Sequence, residues 1–524
     1  MPESNVSEIL NLQKLAINKE RSLLNGSVCL IVPPSSFLLD ERVFTSLGIL
    51  KVAASLEEEG IEVSVIDLSG IENYGEVLRE HLEGSTDVAL GISATTPQMP
   101  IVSEIATLIR KIRPDIRLIL GGPHATLTFA ARKIETKLKK IVRRADRAAS
   151  QLLDLFDVVV CGDGELAILE ALKANPDKII DADDRKTSLF MDNQFYIKSP
   201  LPARHLIDLT SYRYQIDGLP ATSLISQLGC PFNCGFCGGR NSPSLRVTRT
   251  RNVQSIIDEV EFLHKEYGYT GFMFYDDELN VNKDLVKLLN GLTDLQNKLG
   301  VEFRLRGFIK AELFNDEQAK AMYSAGFRWL LCGFEAADPR VLENINKRAT
   351  LEDNSRAVAI AKQYGLKTKA LMSCGHPGDS EDTILAIRDW LLDMDVEDFD
   401  CTIITPYPGS PYYDLAVPHN NTEGVWVYTC EESGDRLFAY EVDYLHTSDY
   451  YKGAPDGGYC SYVYTDHLSA ERLVVLRDEL ENDVRQKLSL PFNSSQAAIR
   501  YEHSMGQGLP GFIYRRSNTL NPVR

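Results

Sequence analysis

At 524 residues the chain is long enough for two to four domains with ample core. Its 56 basic residues against 74 acidic ones leave a net charge of −18, so no general polyanion-binding field and no nucleic-acid substrate are expected. Hydrophobic residues at 44% and charged residues at 25% suit a soluble globular protein, and no apolar run reaches the ~18 residues of a membrane span.

Residues 1–26 read as a polar, helical lead-in without a signal-peptide pattern, which points to the cytoplasm. Buried-strand runs then recur at 27–34, 62–69, 87–96, 117–125 and 157–161, with helical periodicity between them, as at 43–59. This alternation predicts a doubly wound parallel sheet over 27–175, with its ligand crevice at the carboxyl ends of the strands. Those ends carry Pro33-Pro34, Ser93 to Thr96, Gly121-Gly122-Pro123-His124 and Gly162-Asp163-Gly164-Glu165. Residues 129–156 read as one long basic, amphipathic helix. Its charged side is a solvated face or, functionally, a docking surface for an acidic partner such as a flavodoxin- or ferredoxin-type electron donor.

Residues 176–220 have no sustained periodicity and read as a linker. A second alternation follows over 221–411, with strands at 221–229, 271–278, 301–309, 328–336, 367–375 and 399–406 and helices between them. Six such units predict a partial (β/α)6 barrel with its site at the strand carboxyl ends. Directly after the first of these strands stands Cys230-Pro231-Phe232-Asn233-Cys234-Gly235-Phe236-Cys237. Thiolates are soft ligands suited to iron–sulfur clusters, and three of them leave one iron of a four-iron cluster open. A zinc knuckle would want a fourth Cys or His close by, and a disulfide pair is the other alternative. Gly235 is expected to allow a backbone conformation that a bulkier residue resists. Cys29, Cys161, Cys332, Cys374 and Cys401 lie in apolar runs and read as buried small hydrophobes.

Further strand ends carry Tyr275-Asp276-Asp277-Glu278, Gly333-Phe334-Glu335 and Gly375-His376-Pro377-Gly378-Asp379, while Arg304 and Arg306 alternate onto one face of the third strand. Asn280 and Asn282 allow a capping role for the acidic stretch. Residues 412–524 are rich in Tyr, Asp and Gly and read as an α+β substrate or capping region. Within it, 469–488 is periodic enough for a helix docked on the barrel, and 507–524 is basic and polar.

The C-x3-C-x-aromatic-C pattern at the end of a first barrel strand resembles the radical S-adenosylmethionine (SAM) superfamily. The glycine-rich strand ends of 27–175, together with Ser46-Leu47-Gly48, resemble the cobalamin (B12)-binding domain found upstream of many of its members. Thr405-Pro406-Tyr407-Pro408-Gly409-Ser410-Pro411 is similar to a segment that closes the barrel in that class. The resemblance implies a [4Fe-4S] cluster on Cys230, Cys234 and Cys237, and SAM on the open iron with Phe236 beside its adenine. An acid among Asp276 and Glu278 would take the SAM ammonium, and Arg304 or Arg306 its carboxylate or a substrate anion. Gly333, Glu335 and Gly375 would shape the SAM pocket. It further implies cobalamin held near Thr95, Gly121, Gly122, His124, Gly162, Gly164 and Glu165. The D-x-H-x-x-G motif of other B12 proteins is absent, as in many members of this class, and Ala336 stands where a small hydroxyl residue is usual. The implied activity is methyl transfer to an unactivated carbon of a small molecule through a 5′-deoxyadenosyl radical. Cyclisation, ring contraction or oxidation without methyl transfer, radical SAM chemistry beside an empty first domain, and a non-catalytic electron-transfer protein stand as alternatives.

Overall fold

The computed structural model describes residues 26–38, 41–451, 453 and 459–490. The expected lead-in, apart from Gly26, and the basic end at 507–524 lie outside these residues.

The first unit is a six-stranded sheet of β1 (Val28–Val32), β2 (Val63–Asp67), β3 (Ala89–Ser93), β4 (Arg117–Gly121), β5 (Val158–Cys161) and β6 (Ile179–Asp181). All pairings are parallel, in the order β2-β1-β3-β4-β5-β6. Parallel strands covered on both faces read as continuous apolar runs, and every residue of β1 is buried. Of the helices α1 (Leu47–Glu58), α2 (Tyr74–Gly84), α3 (Met99–Ile112), α4 (Pro123–Lys137), α5 (Arg144–Leu155) and α6 (Gly164–Ala171), α1 and α6 supply the apolar layer of one face and α2 to α5 that of the other. The strand order reverses between β1 and β3, which is where such sheets open a ligand crevice.

Two local expectations change. The three residues of β6 fall in the stretch read as a linker and are too short for periodicity to register; pairing with β5 makes them a strand. The single basic helix is two. The chain turns after α4 through Lys139, at φ +52°, and the Glu135 carboxylate accepts the backbone N–H groups of Ala145 (3.0 Å) and Asp146 (3.0 Å), capping α5 from its neighbour. Most of the basic side chains are engaged internally. Arg132 pairs with Asp146, Lys133 with Asp181 and Arg147 with Glu441, while buried Arg144 stacks on Tyr413 and Trp426.

The second unit contains β7 (Gln215–Ile216), β8 (Leu219–Leu224), the short ladder of β9 (Gln227–Leu228) with β10 (Arg249–Thr250), then β11 (Gly271–Phe274), β12 (Arg304–Ile309), β13 (Phe327–Glu335), β14 (Lys367–Cys374) and β15 (Asp398–Ile403). Strands β8 and β11 to β15 form the six-stranded parallel arc of a partial barrel, with β7 antiparallel at its edge. Its apolar core is continuous with the helices outside it. A third layer of β16 (Val417–Pro418), β17 (Val425–Thr429), β18 (Arg436–Tyr440) and β19 (Val463–Thr465) is an antiparallel sheet. The helix Ala470–Lys487 docks on the barrel, as its periodicity predicts, through Leu473, Leu476, Leu480 and Val484.

Tyr412, Tyr413, Tyr444, Tyr450 and Tyr459 of the tail are buried, whereas Tyr440 is exposed. Tyr413, Tyr444 and Tyr450 pack with Ala131 and Ala145, joining the third layer to the first unit. Buried Arg204, in the connector, pairs with Glu259 at 2.6 Å and donates to the Ser223 carbonyl, fastening the connector to the barrel.

Candidate active site

The cysteine loop leaves β9 and is held almost entirely through its backbone. Cys230 N–H donates to the Leu245 carbonyl (3.0 Å) and Gly235 N–H to that of Ile345 (2.7 Å), while the Gly235 carbonyl accepts from Tyr412 N–H (3.1 Å). The Arg240 guanidinium donates to the carbonyls of Cys230 (3.2 Å) and Phe232, and Arg246 to that of Pro231 (3.0 Å). Those arginines went unnoticed in the sequence because their work is done on carbonyls. Gly235 is needed for close approach rather than for an unusual φ: a Cβ there would lie 2.5 Å from the Tyr412 ring. The positive φ belongs to Gly229, at +83°, where a Cβ would meet the Val247 carbonyl oxygen at 2.3 Å.

Cys230, Cys234 and Cys237 share one neighbourhood, in which burial raises all three thiol pKa values, Arg240 is the common cation, and Cys230 and Cys234 add to the rise at Cys237. Burial pushes Cys237 up to about 12, so metal binding would have to expel these protons. This soft, convergent donor set fits an iron–sulfur cluster. Cys29, Cys161, Cys332, Cys374 and Cys401 are all buried, as expected.

The candidate acids separate. Asp276 is consumed by scaffolding: its carboxylate accepts the N–H groups of Ser226 (2.7 Å) and Gln227 (3.2 Å) and the Ser226 hydroxyl, fixing the turn before the cysteines. Glu278 lines the cleft beside Cys230, Lys310, Lys347 and Glu335. Among the described residues its Oε2 has no hydrogen-bond partner, and burial raises the carboxyl to about 7.

Arg304 and Arg306 do not reach this mouth. Arg304 begins β12, at the opposite end of the barrel, and pairs with Glu302 and Asp217. Arg306 is buried beside Tyr214 and over the Trp329 ring. The cation at the carboxyl end of β12 is Lys310, which the sequence reading missed. Its Nζ donates to the Lys347 carbonyl (3.0 Å), pairs with Glu312 (2.9 Å) and lies 4.2 Å from the centroid of the Phe232 ring. Asn280 sets its position through two bonds of 2.9 Å to the Lys310 backbone.

Gly333 and Glu335 do meet at the mouth, whereas Gly375, just past β14, is surrounded by Val463, Ile403 and Ile404. A Cβ on Gly333 would sit 2.7 Å from Glu335 Oε1, so the glycine leaves room for the Glu335–Lys347 pair at 3.2 Å. Glu335 Oε2 accepts from the Ser373 hydroxyl (2.8 Å), which contacts His376 Nε2 (2.7 Å); His376 Nδ1 lies 3.4 Å from the Tyr412 hydroxyl. Burial lowers His376 to about 3, so it is neutral. The Phe236 ring packs edge-on against it, with centroids 5.4 Å apart.

At the carboxyl ends of β1, β3, β4 and β5 lies a cavity of about 240 Å³. Gly48, Gly91, Gly121, Gly122, Gly162 and Gly164 present bare backbone to it, and Lys51, Glu165 and Arg251 are among its polar walls. Bare backbone at these turns would let part of a flat, bulky cofactor approach closely. Thr95 and His124 are not part of its lining. Thr95 caps the turn at Thr96–Gln98, and His124 is a core residue between Thr96 and Thr128. Leu228 and Leu245, which close the far side of the cavity, flank Cys230, so the crevice of the first sheet and the cysteine loop share a wall.

A B12-binding domain model matches residues 41–153 and a radical SAM superfamily model matches residues 224–391. The chain therefore carries a B12-binding domain followed by a radical SAM domain. It is 27% identical over 397 residues to the uncharacterized methyltransferase PH0819 of Pyrococcus horikoshii, covering 75% of this chain and 83% of that one. It is 24% identical to the anaerobic magnesium-protoporphyrin IX monomethyl ester cyclase of Cereibacter sphaeroides, over 70% of this chain but only 58% of the relative. Among solved structures, the radical SAM methyltransferase TsrM of Kitasatospora setae, with cobalamin and a [4Fe-4S] cluster bound, shares the fold. The TM-score is 0.59 at 18% identity, over 79% of this chain and 88% of that one.

Proposed function

We propose that the protein is a cobalamin-dependent radical SAM methyltransferase acting on an unactivated carbon of a small molecule. The observation that carries this reading is the wall shared by the glycine-lined cavity and the cysteine loop, which sets two cofactor sites side by side. The methyltransferase names of the Pyrococcus relative and of TsrM support it.

In this reading Cys230, Cys234 and Cys237 hold the cluster, and Glu278, with its free carboxylate oxygen, accepts the SAM ammonium. Lys310 and Lys347 face the SAM carboxylate, Phe236 packs on the adenine side, and Gly333 and Glu335 shape the pocket. Gly121, Gly122, Gly162, Gly164 and Glu165 receive cobalamin. Bound together, these groups supply one-electron SAM cleavage, hydrogen abstraction and methyl transfer. The chain's own part is geometry and exclusion of water, with Arg240 and Arg246 holding the loop and the Tyr412–His376–Ser373–Glu335 series bracing the mouth. A flavodoxin- or ferredoxin-type protein supplies the electron, in the cytoplasm.

Anaerobic reconstitution with hydroxocobalamin tests the reading. Near-stoichiometric cobalt beside about four irons is expected, with reduction-dependent release of 5′-deoxyadenosine. Label from methyl-deuterated SAM should appear on the cobalamin. Iron without cobalt, or cobalamin that never takes the label, would overturn the assignment.

A further inference from the structure

We propose that the turn between α4 and α5, with the segment around Leu415, is a docking surface for an anionic phospholipid bilayer. Ile141 at the tip of the turn is 98% exposed, with Leu138 at 50% and Val142 at 42% beside it. Leu415 (48%) and Val417 (55%) extend the patch from a second segment. The two segments are fastened together: Lys140 Nζ donates to the carbonyls of Asp414 (2.5 Å) and Ala416 (2.8 Å), on either side of Leu415. Below them, Arg144 stacks on Tyr413 and Trp426, and Glu135 caps α5. The aliphatic tip therefore stands on a rigid base.

Charge selects the occupant. Residues 133–147 hold seven Lys or Arg against two Asp or Glu, in a chain of net charge −18. The two acids are committed, Glu135 to capping and Asp146 to Arg132. Lys137 and Lys139 are exposed on the turn itself, and Arg143 adjoins them. Exposed aliphatic side chains ringed by lysines are the composition of a segment that lies in the headgroup boundary of an anionic leaflet. The chain's net charge of −18 disfavours general approach to the same surface, so the basic corner is favoured among the described residues. An acidic protein would also be attracted to the lysines. However, protein interfaces draw their affinity from aromatic and arginine anchors seated in pockets, and leucine and valine are under-represented among them; a fully protruding isoleucine fits a bilayer better.

Co-sedimentation of the full-length protein with vesicles tests this, without reference to catalysis. Phosphatidylcholine vesicles containing phosphatidylglycerol should bind the protein, plain phosphatidylcholine vesicles should not, and added salt should weaken binding. Ile141→Asp with Val142→Asp should reduce binding at least tenfold, as should Lys137→Glu with Lys139→Glu. Both double variants should keep the wild-type circular dichroism and melting temperature. Wild-type protein left in the supernatant with anionic vesicles would overturn the proposal, as would variants that bind like wild type. Titration with an acidic flavodoxin is the companion measurement: saturable binding lost in the same variants, without vesicle binding, would reassign the patch to a protein partner.

Discussion

Glu278 and Asp276 stand two residues apart, yet they predict different outcomes. In the proposed site Glu278→Gln removes a charge-assisted hydrogen bond, typically about 1.5–3 kcal/mol, so the Kd for SAM should rise roughly ten- to a hundredfold while iron content stays unchanged. Asp276→Asn should instead cost about 1–3 kcal/mol of stability, because it unties the Ser226–Gln227 turn; urea unfolding measures it. Replacing Cys230, Cys234 or Cys237 by Ala should each leave a folded protein that retains little iron and releases no 5′-deoxyadenosine. His124 offers a pH test. Burial lowers its pKa to about 3 in the fold, whereas the unfolded chain takes up the proton near 6.5. The folded state therefore loses stability as pH falls below about 6.5, by about 2 kcal/mol at pH 5. A His124→Gln variant lacks that loss, so its destabilisation relative to wild type should shrink by that amount between pH 7 and pH 5 in denaturant titrations.

At the scale of elements, the α4–α5 pair shows how one side chain divides a helix. The basic run is helix-compatible throughout, but Glu135 satisfies two N–H groups that open α5, and Lys140 and Arg144 are drawn toward the carbonyls of the 413–416 segment. Glu135→Ala should cost about 1–2 kcal/mol, the usual worth of a lost cap, seen as a lower denaturation midpoint with an unchanged slope. The cysteine loop is the complementary case, an irregular segment made rigid by arginines that bind its carbonyls rather than by secondary structure.

For the whole molecule, the third layer acts as a clasp. Its tyrosines pack on Ala131 and Ala145 of the first unit, while the helix Ala470–Lys487 packs on the barrel. Arg144 is the central contact, with its guanidinium carbon 3.4 Å from the Tyr413 ring centroid and 4.2 Å from that of Trp426. Arg144→Ala should cost about 2–4 kcal/mol, from a buried cation–π contact and a charged hydrogen bond. Calorimetry should read this as a lowered transition temperature, with the first unit still held to the barrel through Asp163–Arg249 and Asp183–Ser244.

By itself the sequence determined the two βα alternations and the three clustered cysteines with their place after a barrel strand. It also determined the glycine-rich strand ends, of which Gly121, Gly122, Gly162 and Gly164 line the cavity. Each of these is a local pattern, a period or a spacing, and local patterns survive in one dimension. Only the tertiary structure decided that Glu278 rather than Asp276 is free, that Lys310 rather than Arg304 or Arg306 stands at the mouth, and that His124 and Thr95 turn away from the cavity. It also divided the basic helix and tied Lys140 to the backbone on either side of Leu415. Those outcomes depend on where a strand ends to within a few residues and on which distant backbone claims a side chain first. Register and competition for partners arise only once the chain has closed on itself.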